Sequence, residues 1–164
     1  MTRSLTAFIL TALFCSVQAA HAASPRDFVQ EFYSWYTSSA VQKTPGRVWD
    51  VALKNRGSSF APDLVRQLKA DSLAQEKSSG DIVGLDFDPF LYSQEPARHY
   101  TVGQVTAKGA GWLVEVRAGK NAATVAEIAP AGAGWQFVNF HYEEGQDLLT
   151  MLKQMRADRE KPAH

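Results

Sequence analysis

A chain of 164 residues carrying 17 basic and 17 acidic side chains presents no net charge to a polyanion, and the two signs are mixed along its length. The densest basic stretch, residues 153–161, also holds Asp158 and Glu160, which argues against nucleic acid and against an anionic membrane surface as partners. A single cysteine, Cys15, excludes an internal disulfide and a cysteine-based metal site.

Arg3 precedes an uncharged run over residues 4–17, and Ala20-His21-Ala22 closes it with small residues at alternate positions. This is the pattern of a secretory signal peptide, with cleavage expected between Ala22 and Ala23. The apolar run falls short of the ~20 residues a membrane-spanning helix needs, so no integral membrane segment is expected after signal removal. Cys15 would leave with the signal, and Phe14 stands where a lipoprotein signal needs a small residue. Residues 23–164 are then expected to form one unanchored domain in the periplasm, or secreted beyond it, large enough to fold on its own core.

Ser24-Pro25-Arg26-Asp27 reads as a helix start, with Ser24 as cap and Pro25 at the first helical position. Phe28, Phe32 and Trp35, widened by Val29 and Tyr36, make the core stripe of a helix ending near Ser39, while Arg26, Gln30 and Ser34 face away. A linker through Pro45 and Gly46 leads to a shorter pattern, Val48, Trp49, Ala52 and Leu53, stopped by Gly57. A third helix begins at Pro62 and carries Leu64, Val65, Leu68 and Leu73 towards Ser78-Ser79-Gly80.

From His99 the period changes to alternation, with strands expected over 99–106, 112–118, 123–129 and 135–142 and glycine-bearing loops between them. Loops this short favour an antiparallel meander. Tyr100 and Val102 share a face that Val105 does not, so the phase slips near Gly103, where a bulge would bend the sheet. The last strand is apolar on both faces, through Trp135 and Phe137 on one and Val138, Phe140 and Tyr142 on the other, which predicts a central or doubly covered position. Leu148, Leu149, Leu152 and Met155 form a final amphipathic helix. The expected fold is α+β, with N-terminal helices and a C-terminal helix on a curved four-stranded antiparallel sheet. A concave sheet under helices invites comparison with the cone of nuclear transport factor two and with its pocket.

Four separated stretches carry a more specific likeness. They are Phe28-Val29-Gln30-Glu31-Phe32-Tyr33-Ser34-Trp35-Tyr36, Phe60-Ala61-Pro62-Asp63-Leu64, Asp86-Phe87-Asp88-Pro89-Phe90, and Gly134-Trp135-Gln136-Phe137-Val138-Asn139-Phe140-His141-Tyr142. In this order the chain resembles the small exported bacterial proteins grouped as domain of unknown function 3828, some of them envelope lipoproteins. The resemblance implies a periplasmic α+β domain and brings no catalytic or binding residues. The missing anchoring cysteine separates this chain from the lipoprotein members.

Asp86 and Asp88, with Asp81 before and Glu95 after, are the most pointed constellation. Paired loop carboxylates can hold Ca²⁺, but the ligand set is incomplete, and the competing reading is a turn. In it an aspartate accepts from backbone amides, Pro89 fixes φ, and Phe87 and Phe90 anchor the loop. His99, His141 and His164 lack the spacing of a helical zinc site, so no metal and no cofactor is expected. His141 with Glu127 on the neighbouring strand could make a general base with a partner, against the plainer reading of a strand-end histidine satisfied by a carboxylate. No Gly-x-Ser-x-Gly elbow or phosphate loop is present. Tyr33, Tyr36, Trp49, Tyr92, Trp112 and Trp135 are core residues or the lining of an apolar pocket. The favoured expectation is a non-enzymatic module binding an envelope protein or a small apolar ligand, with Asp86, Asp88, Trp135 and His141 as candidate site residues. The alternatives are a small pocket enzyme using an acid or base on the sheet, and an immunity protein against an envelope toxin.

Overall fold

The computed structural model describes residues 23–78, 83–95 and 97–161. Helices α1 (Pro25–Tyr36), α2 (Ser39–Gln42), α3 (Val48–Asn55) and α4 (Pro62–Lys77) come first. Strands β1 (Tyr100–Lys108), β2 (Gly111–Ala118), β3 (Asn121–Ala131) and β4 (Gly134–His141) follow, and α5 (Leu148–Arg159) closes the chain. The strands pair in sequence order, each antiparallel to the next, in a curved, unclosed sheet, which makes the fold α+β. No described helix is long and apolar enough to cross a membrane.

Ser24 caps α1 by accepting from the Asp27 amide at 3.1 Å, and Val29, Phe32, Tyr33 and Tyr36 form its buried face. The helix stops at Tyr36, three residues earlier than expected, where the Thr37 hydroxyl donates to the Tyr33 carbonyl at 2.8 Å. The chain then extends through Ser38 before α2 begins. In α4, Leu64 and Leu68 are buried as expected, but Leu73 is 53% exposed, because it falls off the helical stripe that Leu64, Leu68, Asp71 and Gln75 turn inward.

Three tight turns, Gly109-Ala110, Gly119-Lys120 and Gly132-Ala133, join the strands, and each opens on a glycine at positive φ, 57°, 65° and 57°. That is the residue a type II′ hairpin requires at its first central position. Pro130 and Ala131, read from sequence as loop, lie within β3. The bulge foreseen at Gly103 is present, for the β1–β2 register shifts between Val102 and Val105. A side chain at Gly103 would meet the ends of the Glu115 and Arg117 side chains, which would have to move aside.

The position of β4 corrects the sequence reading. It is an edge strand, and a register shift between Glu127 and Ile128 turns both Phe137 and Phe140 onto the helix side. Strict alternation had placed them on opposite faces; the bulge at Val138 makes one richly apolar face look like two. Both sheet edges are covered in part. Ala61 donates to the Phe137 carbonyl, and Asp147 bridges His141. On β1, Gln30 acts as a strand residue would, accepting from the Val102 amide at 2.9 Å and donating to the Tyr100 carbonyl at 3.2 Å, while Arg26 donates to the carbonyls of Val102 and Gly103. Arg26 and Gln30 therefore face the sheet edge, where the helical pattern had turned them to solvent.

The core lies between the helices and one sheet face. Phe32 is at its centre, with Phe137 at 4.8 Å, Phe60 at 5.5 Å and Phe90 at 5.8 Å between ring centroids, and all four are essentially inaccessible. These rings, with Tyr33, Tyr36 and Phe140, occupy the space that a cone-shaped pocket would need. Against α4, the buried Asp71 accepts from Arg159 of α5 at 2.9 Å and from the Leu85 amide at 2.9 Å, tying the C-terminal helix to the segment that leads into the next loop.

Candidate functional site

The loop from Asp86 to Ser93 is folded onto the core by its own backbone and by three tyrosines. Asp88 Oδ1 accepts from the amides of Phe90 and Leu91, at 2.9 and 3.2 Å, and Oδ2 accepts from the Tyr36 hydroxyl at 2.6 Å. Tyr33 donates to the Phe90 carbonyl at 2.6 Å and Tyr142 to the Pro89 carbonyl at 2.7 Å. Burial, reinforced by Asp88, holds these three phenols well above their ordinary range, so each keeps the proton it donates to the loop. Burial also raises the Asp88 carboxyl to about 6, against the opposing pull of its hydrogen bonds. Phe90 is inaccessible, and Phe87 meets Tyr92 and Tyr142 edge-on. Tyr92 sits at φ 48°, in the left-handed region, stacked on Tyr142 at 4.3 Å.

This is the turn of the second reading. Asp86 is exposed, with the Gln94 amide at 3.5 Å, whereas both oxygens of Asp88 are engaged by protein donors, so the pair does not converge on a cation. Asp81 and His164 lie outside the described residues, as does Ala22. Trp135 is elsewhere, at the far end of β4, where its indole donates to the Ala23 carbonyl at 2.7 Å and fastens the chain ahead of α1. Of the candidate residues, Asp86 and Asp88 share one loop, while Trp135 and His141 lie at the two ends of β4.

His141 and Glu127 do meet, Nε2 to Oε2 at 2.7 Å, on the sheet face away from the core. Lys108 donates to the same Oε2 at 2.8 Å. Burial alone would raise Glu127, but the Lys108 and His141 bonds outweigh it and hold the carboxyl below its ordinary value. Glu115 and Arg117 pair at 2.8 Å on the same face, with Leu113 and Val125 half-buried between the charges. Asn139 completes the face by donating to Asp147 and accepting from the Leu149 amide, which fixes the start of α5. The alternation of β3 and β4 made the Glu127–His141 pair legible; the arrangement is an open ionic ladder with solvent over it.

One cleft escaped the sequence reading. About 720 Å³ in volume, it opens between the C-terminal end of α1 with α2 and the segment entering β1. Lys43 stands on one wall with Thr37, Ser38 and Ser39, and Arg98 and His99 stand on the other. The Ala97 amide donates to the Tyr100 hydroxyl at 3.1 Å, which fixes the turn presenting Arg98 and His99. The run Thr37-Ser38-Ser39 was visible, but nothing in sequence placed it opposite residues 97–100. Comparison with protein-family models, with curated proteins and with solved structures yields no match.

Proposed function

We propose that the chain is an exported periplasmic member of the domain of unknown function 3828 family, and that it binds an envelope protein through the outer face of its sheet without catalysing a reaction. The observation that carries this reading is the separation of its titratable groups. Asp88 is locked among tyrosines in the core, while His141 and Glu127 stand on an open face, so the acid and base candidates share no chamber. Of the aromatic side chains considered as an apolar lining, Tyr33, Tyr36 and Trp49 fill the core, Trp112 and Trp135 pack partly buried against it, and Tyr92 is exposed, which weakens the small apolar ligand as an occupant. The outer face offers both signs of charge, from Lys108, Glu115, Arg117 and Glu127, around the half-buried Leu113 and Val125. Export is supported by the uncharged run and small-residue exit ahead of Ala23.

The test uses the lack of any cysteine after Cys15. Leu113→Cys and Leu73→Cys variants, each carrying a photo-crosslinker, are expressed with the native leader, and the periplasmic fraction is irradiated. The expected result is a mature N-terminus at Ala23 and one discrete envelope-protein adduct from position 113 that is absent from position 73. Retention of residues 1–22, or adducts indistinguishable between the two positions, would overturn the reading.

A further inference from the structure

We propose that the cleft between α2 and the entry to β1 is a binding site for a small oxyanion, a phosphoryl or carboxylate group, gripped by Arg98, His99 and Lys43. Arg98 is set apart from every other described arginine. The others each donate to a carboxylate or a backbone carbonyl of the chain, as Arg159 does to Asp71 and Arg26 to Val102 and Gly103. Arg98 has no such partner among the described residues, and neither have Lys43 and His99. In a chain with equal numbers of acidic side chains and of lysines plus arginines, Arg98 and Lys43, neither with a partner among the described residues, make a local excess of positive charge around one cleft, and the His99 ring adds a further nitrogen donor. No aspartate or glutamate is among the described residues lining it.

The remaining lining suits the same ligand. Ser38 makes no side-chain cap bond to α2 and lines the cleft beside Ser39, which brings two hydroxyl-bearing residues to that wall. A planar guanidinium fork, an ammonium and neighbouring hydroxyls are the donor set that phosphate and carboxylate oxygens accept from. The volume lies within the usual range for small-ligand clefts. The turn carrying Arg98 is held by the Ala97–Tyr100 bond and by the burial of Tyr100, so one wall is positioned before any ligand arrives. This cleft is separate from the outer sheet face, and its failure leaves the partner proposal standing.

The purified protein is titrated with sodium phosphate and, separately, with sodium succinate at constant ionic strength, followed by backbone amide NMR. Saturable shifts are expected at Ser38, Ser39, Arg98 and His99, with millimolar or tighter affinity for one of the two anions. The stronger ligand identifies the phosphoryl or the carboxylate class. Arg98→Ala, on an exposed turn and with no partner among the described residues, should weaken binding by roughly tenfold or more, since it removes a bidentate charged donor. Lys153→Ala, an exposed lysine on α5, should leave it unchanged. The proposal is overturned if neither anion gives saturable shifts in the cleft, if Arg98→Ala binds as tightly as the parent, or if Lys153→Ala weakens binding as much as Arg98→Ala does.

Discussion

Asp88 on the helix side of the sheet and Glu127 on its outer face are both multiply hydrogen-bonded carboxylates, and their proton affinities move in opposite directions. Asp88 accepts from two amides and a tyrosine hydroxyl and still rises to about 6. Glu127 accepts from an ammonium and an imidazole and falls below its ordinary value. The number of donors does not decide the matter. Neutral donors in a dry core leave the cost of desolvation largely standing, whereas a cationic donor on a half-exposed face outweighs a smaller one. The inner face thus uses a carboxylate to shape a loop, and the outer face keeps its charges ionised and available.

The contrast is tested most severely by Phe90→Ala, which empties a fully buried position in the aromatic cluster beneath the sheet. A loss of about 3–5 kcal/mol in chemical denaturation is expected, as for other large-to-small changes in packed cores. A loss below about 1 kcal/mol would mean that the inner face is not the packed core described here.

Asp88 supplies the next effect. Its folded value lies above its unfolded one, so the folded state holds the proton more tightly and ionisation opposes folding. Its contribution therefore favours folding at low pH, falls as pH rises from about 4 to about 6, and is level above that, a span of about 3 kcal/mol from a shift of two units. Asp88→Asn removes the titration, so the difference between parent and variant stability curves should slope across that window and be flat above it. A difference curve flat throughout would place the Asp88 carboxyl in water.

Glu127→Gln should be the mildest change, below about 1 kcal/mol, because exposed and half-exposed ion pairs contribute little. Its pH dependence has the opposite sign to that of Asp88: the lowered value makes its contribution present above the ordinary glutamate range and lost as pH falls below it. A penalty of several kcal/mol at neutral pH would show that the Lys108–Glu127–His141 ladder is a structural element and not an open, solvated surface.

What could be seen in the sequence was local. The periodicity of α1, α3, α4 and α5, the slip at Gly103 and the nearness of Glu127 to His141 all follow from residues close in sequence or joined by tight hairpins. What was hidden needed partners from afar. Arg26 and Gln30 are polar on a helix, and only the approach of β1 turns them into edge caps. Phe137 and Phe140 differ by an odd spacing, and only the β3 register reveals the bulge that unites them. Lys43 and Arg98 belong to opposite walls of a cleft that exists only once α2 and the β1 entry are packed.

The partial covering of both sheet edges has a consequence for how the molecule meets others. An open sheet ordinarily offers unpaired amides and carbonyls at each rim, inviting another chain to join as an additional strand. Here Gln30 and Arg26 occupy the Tyr100–Gly103 part of one rim, and Ala61 and Asp147 take up groups along the other. Backbone-to-backbone growth, whether as a fibril, a swapped dimer or a bound extended peptide, is closed off along those stretches. Along those stretches recognition is left to side chains, which makes selectivity there a matter of sequence.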